Sequence, residues 1–470
     1  MLDVGLSYLE ELYQRSMILA GSLTKFSRRV KFYRLHDLMR DFCLLKAQEE
    51  NFLKAVLMGE DSATTSSLLS SSTTIRRLGV YCVGGSKRKG CVKPFRIHEK
   101  WNLQHVRSCQ FYFFSNKLED SDWRHMKSIF KGFKLVTFMD LEKAKFTGED
   151  KTLPKAIGNL IHLRYLSIRD SEICGLPSSI GNLRLLETLD LRVDWILVIP
   201  NVLWKLVQLR HLYLPSRIDK RHGPFKVKLQ LDGLGKLETL EGFDTETCDV
   251  SSILKLMNLR KLVIDAYRAK DLDVIVESLY LSGSDRLLSY SSFVIRESWG
   301  TPEKANVLMR QVLGYHHLHK LVFSRRSLTE LPDTIPPNLT HLELRTLRGL
   351  KEDPMPKLEK FPKLRTLRLY DGEWKELVCS AGGFPQLMHL ELSWCYELEE
   401  WRVEQGAMPN LLHLEIRECS TLKEIPDGLR FVKTLRELYV YGASKELYDR
   451  LQKGGEDFHK IQHVQSITIV

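Results

Sequence analysis

A phrase of the form L-x-x-L-x-L returns along most of this chain, and it limits the fold more than any other feature. Clear copies are Leu163-Arg-Tyr-Leu166-Ser-Ile168, Leu186-Glu-Thr-Leu189-Asp-Leu191 and Leu209-Arg-His-Leu212-Tyr-Leu214. Others begin at Leu237 (register slipped by one), Leu259, Leu318, Leu339, Leu364, Leu387, Leu411 and Leu435, with a degenerate last copy at Val464. Looser copies begin at Ile75, Val106 and Val136, and most starts lie 21 to 29 residues apart. Each L-x-L reads as one short strand, its leucines pointing to a shared interior and the residues between them to solvent. A single repeat cannot bury its own apolar side, whereas stacked neighbours can.

That period is the one found in leucine-rich repeats. The expected fold is α/β: a leucine-rich-repeat solenoid over residues 74–470, with a parallel sheet on its concave side. The return paths recur as Leu153-Pro-Lys-Ala-Ile-Gly-Asn-Leu160, Leu176-Pro-Ser-Ser-Ile-Gly-Asn-Leu183 and Ile199-Pro-Asn-Val-Leu-Trp-Lys-Leu206. Proline fixes φ and removes a donor, so each return reads as a turn and a short helical coil. Cys395 and Cys419 fall in the Asn/Cys slot of the repeat and read as buried structural thiols. Two stretches break the rhythm. Residues 271–279 read as a longer helix, and Arg217 to Lys228 as a basic loop with glycine and proline.

Composition narrows the class. With 43% hydrophobic and 27% charged residues, the chain fits a folded protein with a sizeable core. No apolar run reaches the roughly 18 residues of a membrane-spanning helix, and the first residues do not read as a signal peptide. Nine scattered cysteines favour a reducing compartment over a disulfide framework. The expected location is the cytoplasm, with the nucleus or a membrane periphery as alternatives. The net charge of +11 comes from 70 basic and 59 acidic residues that are mostly interspersed, so it names no partner.

The first 58 residues read differently. Leu6, Leu9 and Leu12 mark a short amphipathic helix, Met17-Ile-Leu19 and Arg29 to Tyr33 two strands, and Leu38, Phe42 and Leu45 one face of a second helix. Helix, hairpin and helix give a partial winged-helix domain over 1–58. A Ser/Thr-rich linker over 59–73 separates it from the repeats.

Here the sequence resembles a known family. Tyr8 to Ile18, then Tyr33-Arg-Leu-His-Asp-Leu-Met-Arg-Asp41, is similar to the end of the nucleotide-binding module of plant coiled-coil, nucleotide-binding, leucine-rich-repeat disease-resistance proteins. The Leu-Pro-x-x-Ile-Gly-Asn-Leu phrases resemble that family's repeats too. The resemblance implies that His36 and Asp37, with Leu35 replacing the family's Met, stand in the motif whose His meets the β-phosphate of ADP. It further implies recognition of a pathogen effector or a guarded host protein through the repeats, and autoinhibitory contact with a nucleotide-binding domain. The phosphate-binding phrase G-x-x-x-x-G-K-[ST] does not occur, the nearest being Gly85-Ser-Lys-Arg-Lys-Gly90. The expectation is therefore no cofactor in this chain, with ADP or ATP only in a full-length receptor. The chain itself looks like a truncated gene model, a pseudogene product or a decoy.

No G-x-S-x-G, H-E-x-x-H or paired C-x-x-C phrase occurs, so no enzyme and no metal site is expected. The outward places of the C-terminal strands are the expected protein-binding surface: His341, Glu343, Arg345, Arg368, Tyr370, His389, Glu391, His413, Glu415, Arg417, Tyr439 and Tyr441. Aromatic area beside both signs of charge suits a polar protein interface better than a lipid surface or a small-molecule pocket. Two other readings compete. One is a general leucine-rich-repeat scaffold or ubiquitin-ligase adaptor without an immune role. The other is a DNA-binding winged helix using Arg28, Arg29, Lys31 and Arg34; Glu10 and Glu11 weigh against it, and nucleic acid is not the expected partner.

Overall fold

The computed structural model describes residues 8–9, 11–20, 33–50, 53–58, 76–83, 103–114, 123–124, 127, 129–146, 148–149, 151–215, 228–266, 274–275, 290–295, 301–324 and 328–470. The linker 59–73, the loop 217–227, Arg28, Arg29, Lys31, Leu6 and nearly all of the helix expected over 271–279 lie outside them. The chain divides into two compact units. The first comprises Met1–Leu209 with Pro215–Gly223, the second Arg210–Leu214 with Pro224–Val470.

In the first unit, Ile18–Ala20 pairs antiparallel with Tyr33–Leu35, and the helix Asp37–Glu49 follows. Strand pairing was expected one step earlier, at 29–33; of those residues only Tyr33 is described. The helix leaves Leu38, Phe42 and Leu45 at 77%, 54% and 55% exposure, so its apolar stripe is uncovered. A parallel ladder then runs through Leu53–Met58, Arg77–Val83, Ser108–Phe114, Phe138–Asp140, Tyr165–Ser167 and Thr188–Asp190. Its first rung lies before the Ser/Thr-rich stretch, among residues assigned above to the winged helix.

In the second unit the ladder runs through His211–Tyr213, Thr239–Asp244, Lys261–Ala266, Tyr290–Ile295 and Leu318–Ser324. It continues through His341–Arg345, Thr366–Tyr370, His389–Ser393, His413–Arg417, Glu437–Tyr441 and Ser466–Ile469. Every pairing in this ladder is parallel, as strands joined by crossover returns require. A small second sheet pairs Glu376–Cys379 with Glu400–Val403.

The repeated phrase explains both ladders. Leu166 and Leu189 in one unit, and Leu367, Leu390 and Leu414 in the other, are fully buried and lie in register across their strands. Each such side chain stabilises its unit by roughly 2 kcal/mol. The returns Lys155–Asn159, Ser178–Asn182 and Asp427–Phe431 are 3-10 turns, each entered from an extended proline. The Ile-Gly-Asn phrase has a steric cause. A Cβ at Gly158 would stand 2.4 Å from the Ser179 carbonyl oxygen, so the two returns stack only over glycine. The return before Leu318–Ser324 carries a longer helix, Pro302–Leu313, with Pro at its start and Leu308, Met309, Val312 and Leu313 buried.

Candidate functional site

The open face of the C-terminal strands is built by register. Along one row stand His341, Thr366, His389, His413 and Glu437, and along the next Glu343, Arg368, Glu391, Glu415 and Tyr439. The third row holds Arg345, Tyr370, Ser393, Arg417 and Tyr441. All twelve expected residues therefore share one sheet face. They do not form uninterrupted columns of imidazoles and carboxylates, because Thr366 and Arg368 occupy the rung between 341–345 and 389–393.

That interruption changes the chemistry. Arg368 lies between two carboxylates, 3.7 Å from Glu343 and 3.2 Å from Glu391. Arg417 repeats the arrangement, 3.7 Å from Glu391 and bonded to Glu415, while Arg345 donates to Glu343. Ser393 Oγ donates to Glu391 at 3.0 Å, and His389 Nε2 lies 3.9 Å from Glu415. The result is a lateral chain of alternating charge over four rungs. Glu343, His389 and Glu391 are only 8%, 3% and 7% exposed, so the middle of the face is occupied by its own side chains. Ionised groups that far from water need such partners.

The environment shifts several groups. Burial, followed by Lys320, Arg368 and Arg365, pushes the His341 imidazole down to about 4, so it is neutral at physiological pH. Burial and the carboxylates of Glu391 and Glu343 push the Tyr370 phenol up, so it stays protonated. His413 faces Glu437 at 3.0 Å. Guanidinium groups lie over aromatic rings, Arg345 at 5.7 Å from the Tyr370 centroid and Arg417 at 4.7 Å from that of Tyr439.

Exposure is concentrated at the end of the strands, and the sequence reading missed its largest members. Trp394 and Tyr396 are 46% and 48% exposed, beside Tyr441 at 42%. Trp394 stacks at a tilt on Tyr370, with ring centroids 5.6 Å apart. It follows the last strand residue, at the place held by Thr346, Asp371, Glu418 and Gly442 on neighbouring rungs, all with positive φ. The N–H of each of Asp371, Trp394, Glu418 and Gly442 donates to the end of the next strand, at 2.7–3.0 Å. The signal was present: an aromatic residue directly before the inward Cys395. That cysteine is buried, as is Cys419, whose thiol donates to the Arg417 carbonyl at 3.4 Å.

The other expected pair stands apart from this face. His36 and Asp37 are exposed; the His36 carbonyl accepts from Arg40 N at 2.8 Å, and Asp37 opens its helix 3.2 Å from the Arg40 guanidinium.

A family model described as a leucine-rich repeat region matches residues 105–453. The chain belongs to the leucine-rich-repeat proteins. It is 36% identical over 479 residues to the disease resistance protein RPP8 of Arabidopsis thaliana, and 37% over 472 residues to the probable disease resistance protein RXW24L of the same plant. These matches cover 100% and 99% of this chain but 49% and 48% of those proteins, so this leucine-rich-repeat chain spans about half the length of the curated relatives it matches. The half it spans is their C-terminal part. A solved leucine-rich-repeat protein of Leptospira interrogans aligns with 79% of this chain and 92% of its own, at 17% identity and a TM-score of 0.45. Among the described residues, no helix is long and apolar enough to cross a membrane.

Proposed function

We propose that this leucine-rich-repeat chain is the recognition part of a plant intracellular immune receptor, acting in the cytoplasm and binding a protein through the open face of its C-terminal strands. The bound protein is a pathogen effector or a host protein that the receptor guards. One observation carries the reading. Leucines commit one side of each rung to the core, while the other side gathers Arg345, Tyr370, Trp394, Arg417, Tyr439 and Tyr441 along rungs of fixed register. Aromatic and arginine side chains held on a rigid scaffold are the composition of protein-binding hot spots. The similarity to named disease resistance proteins supports the immune role.

His36 and Asp37 belong to the same proposal. In a receptor carrying a nucleotide-binding domain, His36 helps hold an ADP-bound resting state, and the uncovered stripe of Leu38, Phe42 and Leu45 packs on the rest of that module. Asp37→Val loosens the resting state in such a receptor and triggers cell death without an effector. The face itself is tested by joint replacement of Arg345, Tyr439 and Tyr441 with serine in a receptor completed by a related nucleotide-binding half. The expected result is loss of the effector response with a melting temperature within a few degrees of the parent's. An intact response after replacement contradicts the assignment.

A further inference from the structure

We propose that the strand-end edge centred on Trp394 and Tyr396 takes an arginine- or lysine-bearing segment of the protein partner, with a cation seated on the Trp394 ring. The proposal rests on the reading of this face as the partner surface and adds the chemistry of what binds there.

The backbone is the first observation. Trp394 has φ 57°, a left-handed conformation that a bulky L-residue adopts at a steric cost. The ladder needs that conformation, because Trp394 N–H donates to the Arg417 carbonyl at 2.8 Å. It does not need an indole there: the neighbouring rungs do the same with Thr346, Asp371, Glu418 and Gly442. Yet the indole is 46% exposed, and its ring contact is with Tyr370. A large aromatic side chain on a disfavoured backbone, turned to solvent, is costly to folding and suited to recognition.

The second observation is how the same face treats its other rings. Arg345 covers Tyr370 and Arg417 covers Tyr439. Both guanidinium groups are held by carboxylates, Glu343 and Glu415. Among the described residues, no cation lies over the Trp394 ring. Tryptophan is the aromatic residue that attracts cations most strongly.

Charge is the third observation. Arg348 is bound to Asp371 at 2.8 Å, which leaves neither free for a partner. A recess of about 500 Å3 that includes Glu397, the residue after Tyr396, is lined by Glu373, Glu376 and Glu397 with Lys351 and Lys375. Glu376 is paired with Arg402 at 3.1 Å, which leaves two carboxylates against two ammonium groups. Glu418 adds a further carboxylate on the next rung. An aromatic edge with a surplus carboxylate complements a cationic segment and repels an acidic one.

The probe is the capped peptide Gly-Arg-Gly-Arg-Gly, titrated calorimetrically against the full chain beside versions carrying citrulline or glutamate in place of arginine. The expected result is saturable binding of the arginine peptide that weakens with salt. Binding should fall about tenfold with citrulline and about tenfold in Trp394→Asn. Asparagine tolerates positive φ, so this variant should keep the melting temperature. Equal binding of the citrulline peptide, preference for the glutamate peptide, no saturable binding, unchanged binding by Trp394→Asn or a lowered melting temperature of that variant would each overturn the proposal. If the peptide fails while the Arg345, Tyr439 and Tyr441 replacement still abolishes the response, the face remains the partner surface and only its cationic partner is refuted.

Discussion

Two sets of rungs carry the same leucine pattern and finish their strands in opposite ways. In the first unit, Asp140, Ser167 and Asp190 occupy an outward row and accept from the backbone N–H two residues on, at 3.0, 3.3 and 3.2 Å. Each short side chain closes its own turn, and the strand ends after three residues. In the C-terminal rungs, Glu343, Arg368 and Glu391 are too long for that turn and reach sideways to a neighbouring rung, while Glu415 binds Arg417 of its own strand and lies 3.9 Å from His389 on the rung before. There the strands run five residues and present one more outward side chain each. Side-chain length at one outward place therefore separates rungs whose side chain closes its own turn from rungs whose side chains are tied by charge to their neighbours.

The network gives the largest expected effect. Glu391→Ala removes the carboxylate that Arg368 and Arg417 share and the acceptor of Ser393, while each arginine keeps a second carboxylate, and should cost about 2 kcal/mol in chemical denaturation. Asp190→Ala removes one local turn bond and a pairing with the half-exposed Arg192, and should cost about 1 kcal/mol. Equal losses would erase the distinction between the two sets. A finer separation comes from pH. His341 is held near 4 when folded against 6.5 ordinarily, so the unfolded chain takes up a proton that the folded one refuses. Its contribution is complete above pH 6.5 and is lost as pH falls towards 4. His341→Gln should flatten the melting-temperature profile over that window, and an unchanged slope would show that the imidazole is not held neutral.

The leucines, the period and the proline-led returns were legible because each follows from local spacing. The pairing across rungs was not, since the phrase places Arg368 between Glu343 and Glu391 without saying that its guanidinium lies against both carboxylates. That one arginine joins the carboxylates on either side of it into a charge network. The rung Leu53–Met58 escaped notice because it lacks the full repeated phrase, and the helix Pro302–Leu313 because it stands where a short return was expected. Trp394 was overlooked for another reason. Alternation assigns residues within a strand to a face, and it is silent about the left-handed residue that follows.

The central claim is that recognition resides on the C-terminal face and not on its self-closed counterpart. It is tested most directly by measuring the effector response of a completed receptor carrying one of two matched sets of serine replacements. One set is Arg345, Tyr439 and Tyr441; the other is Tyr165, Arg169 and Arg192. The account predicts that the first set abolishes the response while the second leaves it intact, with both variants matching the parent in melting temperature to within a few degrees. A response lost only with the second set, or with neither, would contradict it.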